Sequence, residues 1–239
     1  MSQSAKKFTI KKTTAITKQR VKTAKGRKIS STAWLQRHIN DPYVIQAKKL
    51  NYVSRAAFKL LEIDAQFALF KQKSINSTVL DLGCSPGSWL QVVQQKSQQN
   101  SQIIGIDLQE PSDKNFALNS AQFILGDFTD PEIQLKLLDL LSFNKITLLL
   151  SDMAPASCGD KQTDHIRIIS LLTEVWAFAL EHLADGGNMV CKLIRGGRET
   201  ELLKKMRPYF RQLKTFKPSA SYDSSGEIFL VAIGFRRQL

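Results

Sequence analysis

Apolar and polar positions along this chain change their period several times. Between Ser54 and Ile63 the apolar residues Ala57, Phe58, Leu60, Leu61 and Ile63 recur at helical spacing, which predicts a helix with Ser54 as its cap. Upstream, Ser30-Ser-Thr32 predicts a cap for a helix through His38. Asp41-Pro42 predicts a break, with a second helix from Tyr43. From Ser77 onward, short apolar runs alternate with amphipathic stretches. Strands are predicted at 77–82, 102–108, 121–125, 145–151, 187–194, 212–217 and 227–235. Helices are predicted between them at 87–97, 131–141, 163–184 and 198–209. Glycine in Ala179-Leu-Glu-His-Leu-Ala-Asp-Gly-Gly187 suggests a left-handed cap closing the third of these. Alternating strands and helices specify an α/β fold of Rossmann-like type, with a mostly parallel sheet and helices on both faces. Only Pro218 to Gly226 separates the last two strands. That is too short for a crossover helix, so a closing hairpin with one antiparallel strand is expected. There are no internal repeats.

Composition adds a boundary. The chain's 239 residues suffice for one α/β domain, assigned here to residues 30–239. No apolar stretch approaches the roughly 18 residues of a membrane span, and the start lacks the apolar core of a secretory signal. No membrane association is expected. Cys84, Cys158 and Cys191 lie far apart with no CxxC pair, which predicts reduced thiols in a cytoplasmic protein and no metal site. The net charge of +13 is concentrated at one end: residues 1–40 hold 11 Lys and Arg and no acidic residue. The remainder carries 23 basic residues against 21 acidic. Residues 1–29 therefore read as a disordered basic tail that attracts polyanions. A solubilising tail and a mitochondrial transit peptide are the other readings. The transit peptide is opposed by a segment rich in lysine, with only Arg20 and Arg27 before the domain.

Ligands in such sheets bind beyond the C-terminal strand ends. The first predicted strand runs into Asp81-Leu-Gly-Cys-Ser-Pro-Gly-Ser-Trp89, where a turn bearing Gly83 and Gly87 opens a helix. Backbone N–H groups can approach a ligand there. The second strand ends at Asp107, 24 residues past Gly83, where a ribose hydroxyl needs an acceptor. The third ends Gly126-Asp127-Phe128, an acid to hold an adenine amino group beside an aromatic to cover the ring. The fourth ends Ser151-Asp152-Met-Ala-Pro155. Taken singly, Asp127 could cap the next helix and Asp81 could bond the turn amides. Together, four such strand ends favour a nucleoside ligand. The dinucleotide pattern would place glycines where Ser85 and Ser88 stand. An adenosyl ligand without phosphates, such as S-adenosyl-L-methionine, fits better than NAD.

Three charges sit where apolar residues are expected. Lys192 interrupts Met189-Val-Cys-Lys-Leu-Ile194, and Glu227 opens the apolar run Ile228 to Gly234. Lys59 follows Phe58 on the apolar side of its helix. A lone buried lysine is costly unless paired or functional. If the strand of Lys192 neighbours the one ending at Asp152, ammonium and carboxylate can meet at the ligand end.

The segments Ser54-Arg-Ala-Ala-Phe-Lys-Leu60, Asp81 to Trp89, Leu150-Ser-Asp-Met-Ala-Pro155 and Glu227-Ile-Phe-Leu-Val-Ala232 resemble the FtsJ-like RNA 2′-O-methyltransferases, over roughly residues 30–237. The resemblance implies a class I methyltransferase fold with seven strands and S-adenosyl-L-methionine as cofactor. It implies a Lys-Asp-Lys-Glu catalytic tetrad, matched by Lys59, Asp152, Lys192 and Glu227. The family's methyl-donor site is matched by Gly87, Trp89, Asp107, Asp127 and Asp152, to which the turn adds Gly83. Ser88 departs from the family's second glycine, and Cys158 and Gly159 depart from its usual residues after the SDMAP motif. The implied substrate is a uridine ribose in the A loop of large-subunit ribosomal RNA, in the assembled large ribosomal subunit, modified by a monomer. Relatives acting on transfer RNA or messenger-RNA caps share the tetrad, so the core motifs leave those substrates open. An NAD-dependent oxidoreductase and a non-enzymatic RNA-binding protein are the remaining readings. Lys192 is expected either to accept the hydroxyl proton or to act by electrostatic positioning, and Lys59 to orient the hydroxyl and its phosphate. Arg20, Arg27, Arg37, Lys48 and Lys49 suggest RNA contact, with Trp34 and Tyr43 as possible stacking groups. Both aromatics could equally be core residues, and Trp34 is expected to pack inside.

Overall fold

The computed structural model describes residues 19–21, 29–70, 77–111, 121–197 and 199–238. The expected disorder of residues 1–29 therefore falls largely outside the described residues. Three helices lead in: α1 (Ile29–Ile39), α2 (Pro42–Lys49) and α3 (Ala56–Phe67). There follow β1 (Thr78–Leu82), α4 (Ser88–Lys96), β2 (Gln102–Asp107), β3 (Gln122–Leu125), α5 (Pro131–Leu141) and β4 (Ile146–Ser151). Next come α6 (Lys161–His182), β5 (Leu183–Ile194), α7 (Glu199–Met206), a 3-10 turn (Arg207–Tyr209), β6 (Phe210–Phe216) and β7 (Glu227–Phe235).

The strands form one seven-stranded sheet in the order β3-β2-β1-β4-β5-β7-β6. Strands β1 to β5 pair in parallel, and β7 runs antiparallel to both β5 and β6. Side chains alternate between the two faces with a period of two. Leu80 and Leu82 of β1 join Leu137 of α5 and Leu172 and Val175 of α6 on one face. Val79 joins Leu60 and Ile63 of α3 and Leu90 and Val93 of α4 on the other. Both faces of the central strands are covered, which explains why β1 reads as a near-continuous apolar run.

Several boundaries differ from expectation. Helix α1 begins at Ile29, so Ser30 to Thr32 fall in its first turn instead of capping it. Helix α6 ends at His182 without a glycine cap: Leu183 is extended, nearly fully buried and paired with Ile146. Sheet pairing claims Leu183 before the left-handed Gly186 is reached. Helix α7 stops at Met206 because Pro208 has no N–H to extend the α-helical ladder, and the chain continues as the 3-10 turn. Asp41 caps α2 by accepting from the Tyr43 N–H at 2.8 Å. Ser54 Oγ accepts from the Ala56 N–H at 3.1 Å. Trp34 is not a core residue; 55% of it is exposed.

Arg55 locks the leading helices onto the sheet. Its guanidinium pairs with the buried Asp41, donates to the carbonyl of Ala220 and lies 3.7 Å from the centre of the Tyr222 ring. Removing it leaves the Asp41 carboxylate buried without its counter-charge. Arg55→Ala is expected to lower unfolding free energy by about 3 kcal/mol, read as a lower urea midpoint at unchanged slope. An unchanged midpoint would rule the clamp out.

Candidate active site

Strand register assembles the charges that the sequence scattered. In the antiparallel ladder Lys192 pairs with Phe229, and Ile194 pairs with Glu227. Lys192, Phe229 and Glu227 thus share the sheet face covered by α3. Helix α3 presents Lys59 there, its Nζ 5.5 Å from the centre of the Phe229 ring. On the other side of β5, the parallel pairing of Ser151 with Cys191 sets Asp152, the next residue, beside Lys192.

The four side chains meet. Lys59 Nζ lies 2.9 Å from both carboxylate oxygens of Glu227 and 3.7 Å from Asp152 Oδ2. Lys192 Nζ lies 2.7 Å from Asp152 Oδ1 and 3.9 Å from Glu227 Oε2. Its well-directed hydrogen bond goes to the backbone carbonyl of Asp152, also at 2.7 Å, so the Oδ1 contact is an ion pair. Each of the four side chains is between 13% and 17% exposed. Removing one such ion from water costs several kcal/mol, and paired opposite charges offset that cost. Two cations and two anions sum to zero. Burial pushes the Glu227 carboxyl up, but Lys59, a 2.7 Å hydrogen bond from Ser221 Oγ and Lys192 outweigh it and hold the group below its usual range.

Next to this cluster lies a cleft of about 580 Å³ over the ends of β1 to β4 and the first half of α6. Asp152 belongs to both. Gly83, Asp107 and Asp127 line the cleft, as expected of a ligand site. Gly83 has φ +73°, and a Cβ there would come within 2.9 Å of the Met153 backbone. Asp107 accepts from the Ser85 N–H and the Gln109 N–H, each at 2.9 Å. Asp127 does not cap α5; Asp130 does. Instead Asp127 Oδ1 accepts from the Thr129 N–H and hydroxyl, holding its own turn. Phe128 lines the cleft too, with its side chain largely buried and edge-on against Phe178.

Gly87 and Trp89 do not line the cleft. Gly87 is the left-handed N-cap of α4, which has no side-chain cap. Trp89 is buried against Phe229 and donates its indole N–H to the Ala56 carbonyl at 2.9 Å. The Gly87 N–H is already donated to the Cys84 carbonyl at 2.7 Å, so what Trp89 can offer a ligand is its own backbone N–H in the first turn of α4. Met153, Pro155, Arg167, Ser170, Leu171 and Glu174 also line the cleft. The last four stand on α6, where nothing in the local pattern marks them.

Asp81 is the anomaly of the site. It is fully buried on β1, and neither carboxylate oxygen has a hydrogen-bond partner among the described residues. The turn amides that were expected to bond it go elsewhere: Gly83 N–H and Cys84 N–H to the Ile106 carbonyl, Ser85 N–H to Asp107. Burial, then the nearby Asp152 and Asp107 charges, raise its carboxyl well above the usual range.

The strand order, the antiparallel β7 and the strand-end cleft define a class I methyltransferase fold. The chain belongs to the FtsJ-like methyltransferase family, whose model matches residues 52–235. It is 43% identical over 225 residues to ribosomal RNA large subunit methyltransferase E of Cereibacter sphaeroides, covering 91% of this chain and 89% of that protein. The protein of the same name from Zymomonas mobilis is 43% identical over 218 residues, covering 91% and 95%. A solved Plasmodium falciparum structure described as a ribosomal RNA methyltransferase superposes with a TM-score of 0.67 at 29% identity, covering 78% of this chain and all of that one. No described helix is long and apolar enough to cross a membrane.

The raised Asp81 carboxyl links stability to pH. The folded state holds this proton more tightly than the unfolded state. Its stabilising effect is therefore complete below the unfolded value of about 4 and fades as pH rises toward the folded value. Asp81→Asn removes that loss. The melting temperature of the variant is expected to rise relative to the parent as pH increases above about 4. A difference that stays constant across pH would contradict the buried, unpartnered carboxylate.

Proposed function

We propose that this chain transfers a methyl group from S-adenosyl-L-methionine to a ribose 2′-hydroxyl of large-subunit ribosomal RNA. The observation that carries the reading is Asp152, which lines an acidic cleft on one side and completes a zero-sum charge cluster on the other. The cleft suits a cationic nucleoside. Its lining includes Asp107, Asp127 and Asp152, and the orphaned Asp81 lies close enough to feel two of those charges. A pyrophosphate would meet like charge there, which opposes NAD. The uncapped start of α4 offers N–H donors to an amino-acid carboxylate. Asp107 would hold the ribose hydroxyls, and Gly83 lets the backbone approach closely.

Bound there, the cofactor would supply an electrophilic methyl group on a sulfonium. The chain's own residues would prepare the acceptor. Lys192 Nζ is surrounded by acceptor oxygens, so its role is donation. An ammonium held in this way stabilises charge developing on the 2′-oxygen as that oxygen bonds the methyl carbon and its proton passes to solvent water. Asp152 and Glu227 hold it in place, and Lys59, fixed by Glu227, would orient the hydroxyl and its phosphate. All four groups come from one chain, so a monomer suffices.

The names of the relatives point to large-subunit ribosomal RNA as substrate. The finer reading is a uridine in the A loop of the assembled large subunit, in the cytoplasm. Methyl transfer from labelled cofactor to intact large subunits, naked ribosomal RNA and transfer RNA separates these substrates. Transfer to transfer RNA alone would overturn the ribosomal reading. Lys192→Ala is expected to lower turnover by at least about 100-fold, with cofactor affinity within about twofold of the parent. Full turnover in that variant would remove Lys192 from the mechanism. Deleting residues 1–28 is expected to weaken RNA binding and to reduce its salt slope by roughly 0.7–0.9 for each phosphate that the tail neutralises. An unchanged slope would release the tail from any part in binding.

A further inference from the structure

Helix α1 carries a feature that the methyl-transfer site leaves unexplained. Trp34 and His38, one turn apart, stack in parallel with ring centres 4.9 Å apart and planes 11° from coplanar. Trp34 is 55% exposed, whereas Trp89 and Trp176 are buried at 3% and 6%. Tyr43, the other stacking candidate, is engaged: its hydroxyl donates to Glu62 and its ring packs on Phe58. An exposed tryptophan stiffened by a second ring is an aromatic plate open to solvent.

Its sequence neighbourhood is basic. Exposed Arg37 lies between the two rings in sequence, and no acidic residue occurs before Asp41. The backbone around Arg20 is tied to the same helix. Asn40 accepts from the Gln19 N–H at 2.8 Å and donates to the Gln19 carbonyl at 3.0 Å. Gln36 also donates to that carbonyl, and accepts from the Val21 N–H at 3.0 Å. Two side-chain amides therefore dock this stretch of the basic segment on α1, with exposed Arg20 at its centre.

The plate is also held relative to the charge cluster. Asp41, which follows α1 and caps α2, pairs with Arg55, and Arg55 holds the Ala220 carbonyl and the Tyr222 ring. Between those two residues, Ser221 donates to Glu227. A short chain of contacts thus joins the end of α1 to the group that positions Lys59.

We infer that the Trp34–His38 pair is a stacking platform for an unpaired base of the substrate RNA, with Arg37 and the docked Arg20 taking the flanking phosphates. A flat ring on a segment that carries cations and no acidic residue before Asp41 suits a base on a polyanionic strand better than an apolar protein surface. The inference rests on the RNA substrate proposed above and adds where that RNA is gripped.

Acrylamide quenching of tryptophan fluorescence in the full chain tests it, because Trp34 is the exposed ring. Short oligoadenylate, and separately a fragment of large-subunit ribosomal RNA, should protect the quenchable fraction. Trp34→Ala should weaken binding of both RNAs by roughly 5- to 100-fold, the size expected for one base stacked on an aromatic ring. Trp34→Phe should recover most of the loss, and unchanged cofactor affinity in both variants reports an intact fold. RNA binding that leaves Trp34 fully quenchable overturns the platform. So does a Trp34 already shielded at high protein concentration, because a second copy of the chain would then cover it. The two proposals fail separately. Methyl transfer with unaltered RNA affinity in Trp34→Ala removes the platform alone, whereas Trp34 protection without methyl transfer removes the function alone.

Discussion

Four partly buried charges that sum to zero set the conditions for the rest of this site. Lys59, Asp152, Lys192 and Glu227 come from α3, the end of β4, β5 and the start of β7. None would be stable so far from water alone. Their assembly requires β7 to return antiparallel beside β5, so that Glu227 falls diagonally across from Lys192. It also requires β4 to end beside Lys192, and α3 to cross the same sheet face. The sheet order is thus coupled to the chemistry through electrostatics as well as apolar packing.

The adjoining cleft is biased the other way. The cluster is balanced, but the cleft carries carboxylates in excess, and Asp81 is buried without a hydrogen-bond partner among the described residues. The half-buried Asp107 and the exposed Asp127 give the cleft a negative lining that a bound cation would complement. Asp152 is common to both regions, so the donor and acceptor halves of the proposed reaction meet at one carboxylate. Arg55 extends the arrangement outward, from the loop before Glu227 to the corner between α1 and α2.

Much of this was legible in the sequence, for identifiable reasons. Buried strands such as β1 and β4 are short apolar runs ending at polar residues, and that signal is local. Lys192 and Glu227 stood out because a charge inside an apolar run violates burial. Lys59 was less visible, since most helical lysines are solvated. Trp34 was misjudged because an aromatic ring carries no local mark of which way its helix faces. Trp89 was matched to the methyl-donor site through the family resemblance, yet its ring is buried against Phe229 and does not line the cleft. Arg167, Ser170, Leu171 and Glu174 were missed because α6 meets the cleft only through packing.

By itself the sequence determined the α/β alternation, the glycine turn, the identity of the misplaced charges and the uneven charge of the chain. Each follows from neighbours a few residues apart, where backbone sterics and apolar periodicity act. Tertiary structure alone decided which charges touch, that Asp81 has no hydrogen-bond partner among the described residues, that the Trp89 ring is buried and that the Trp34 ring is open. These depend on strand register and helix facing, which bring together residues up to 168 positions apart, such as Lys59 and Glu227. No local pattern encodes such a contact, because its energy exists only once the sheet has formed.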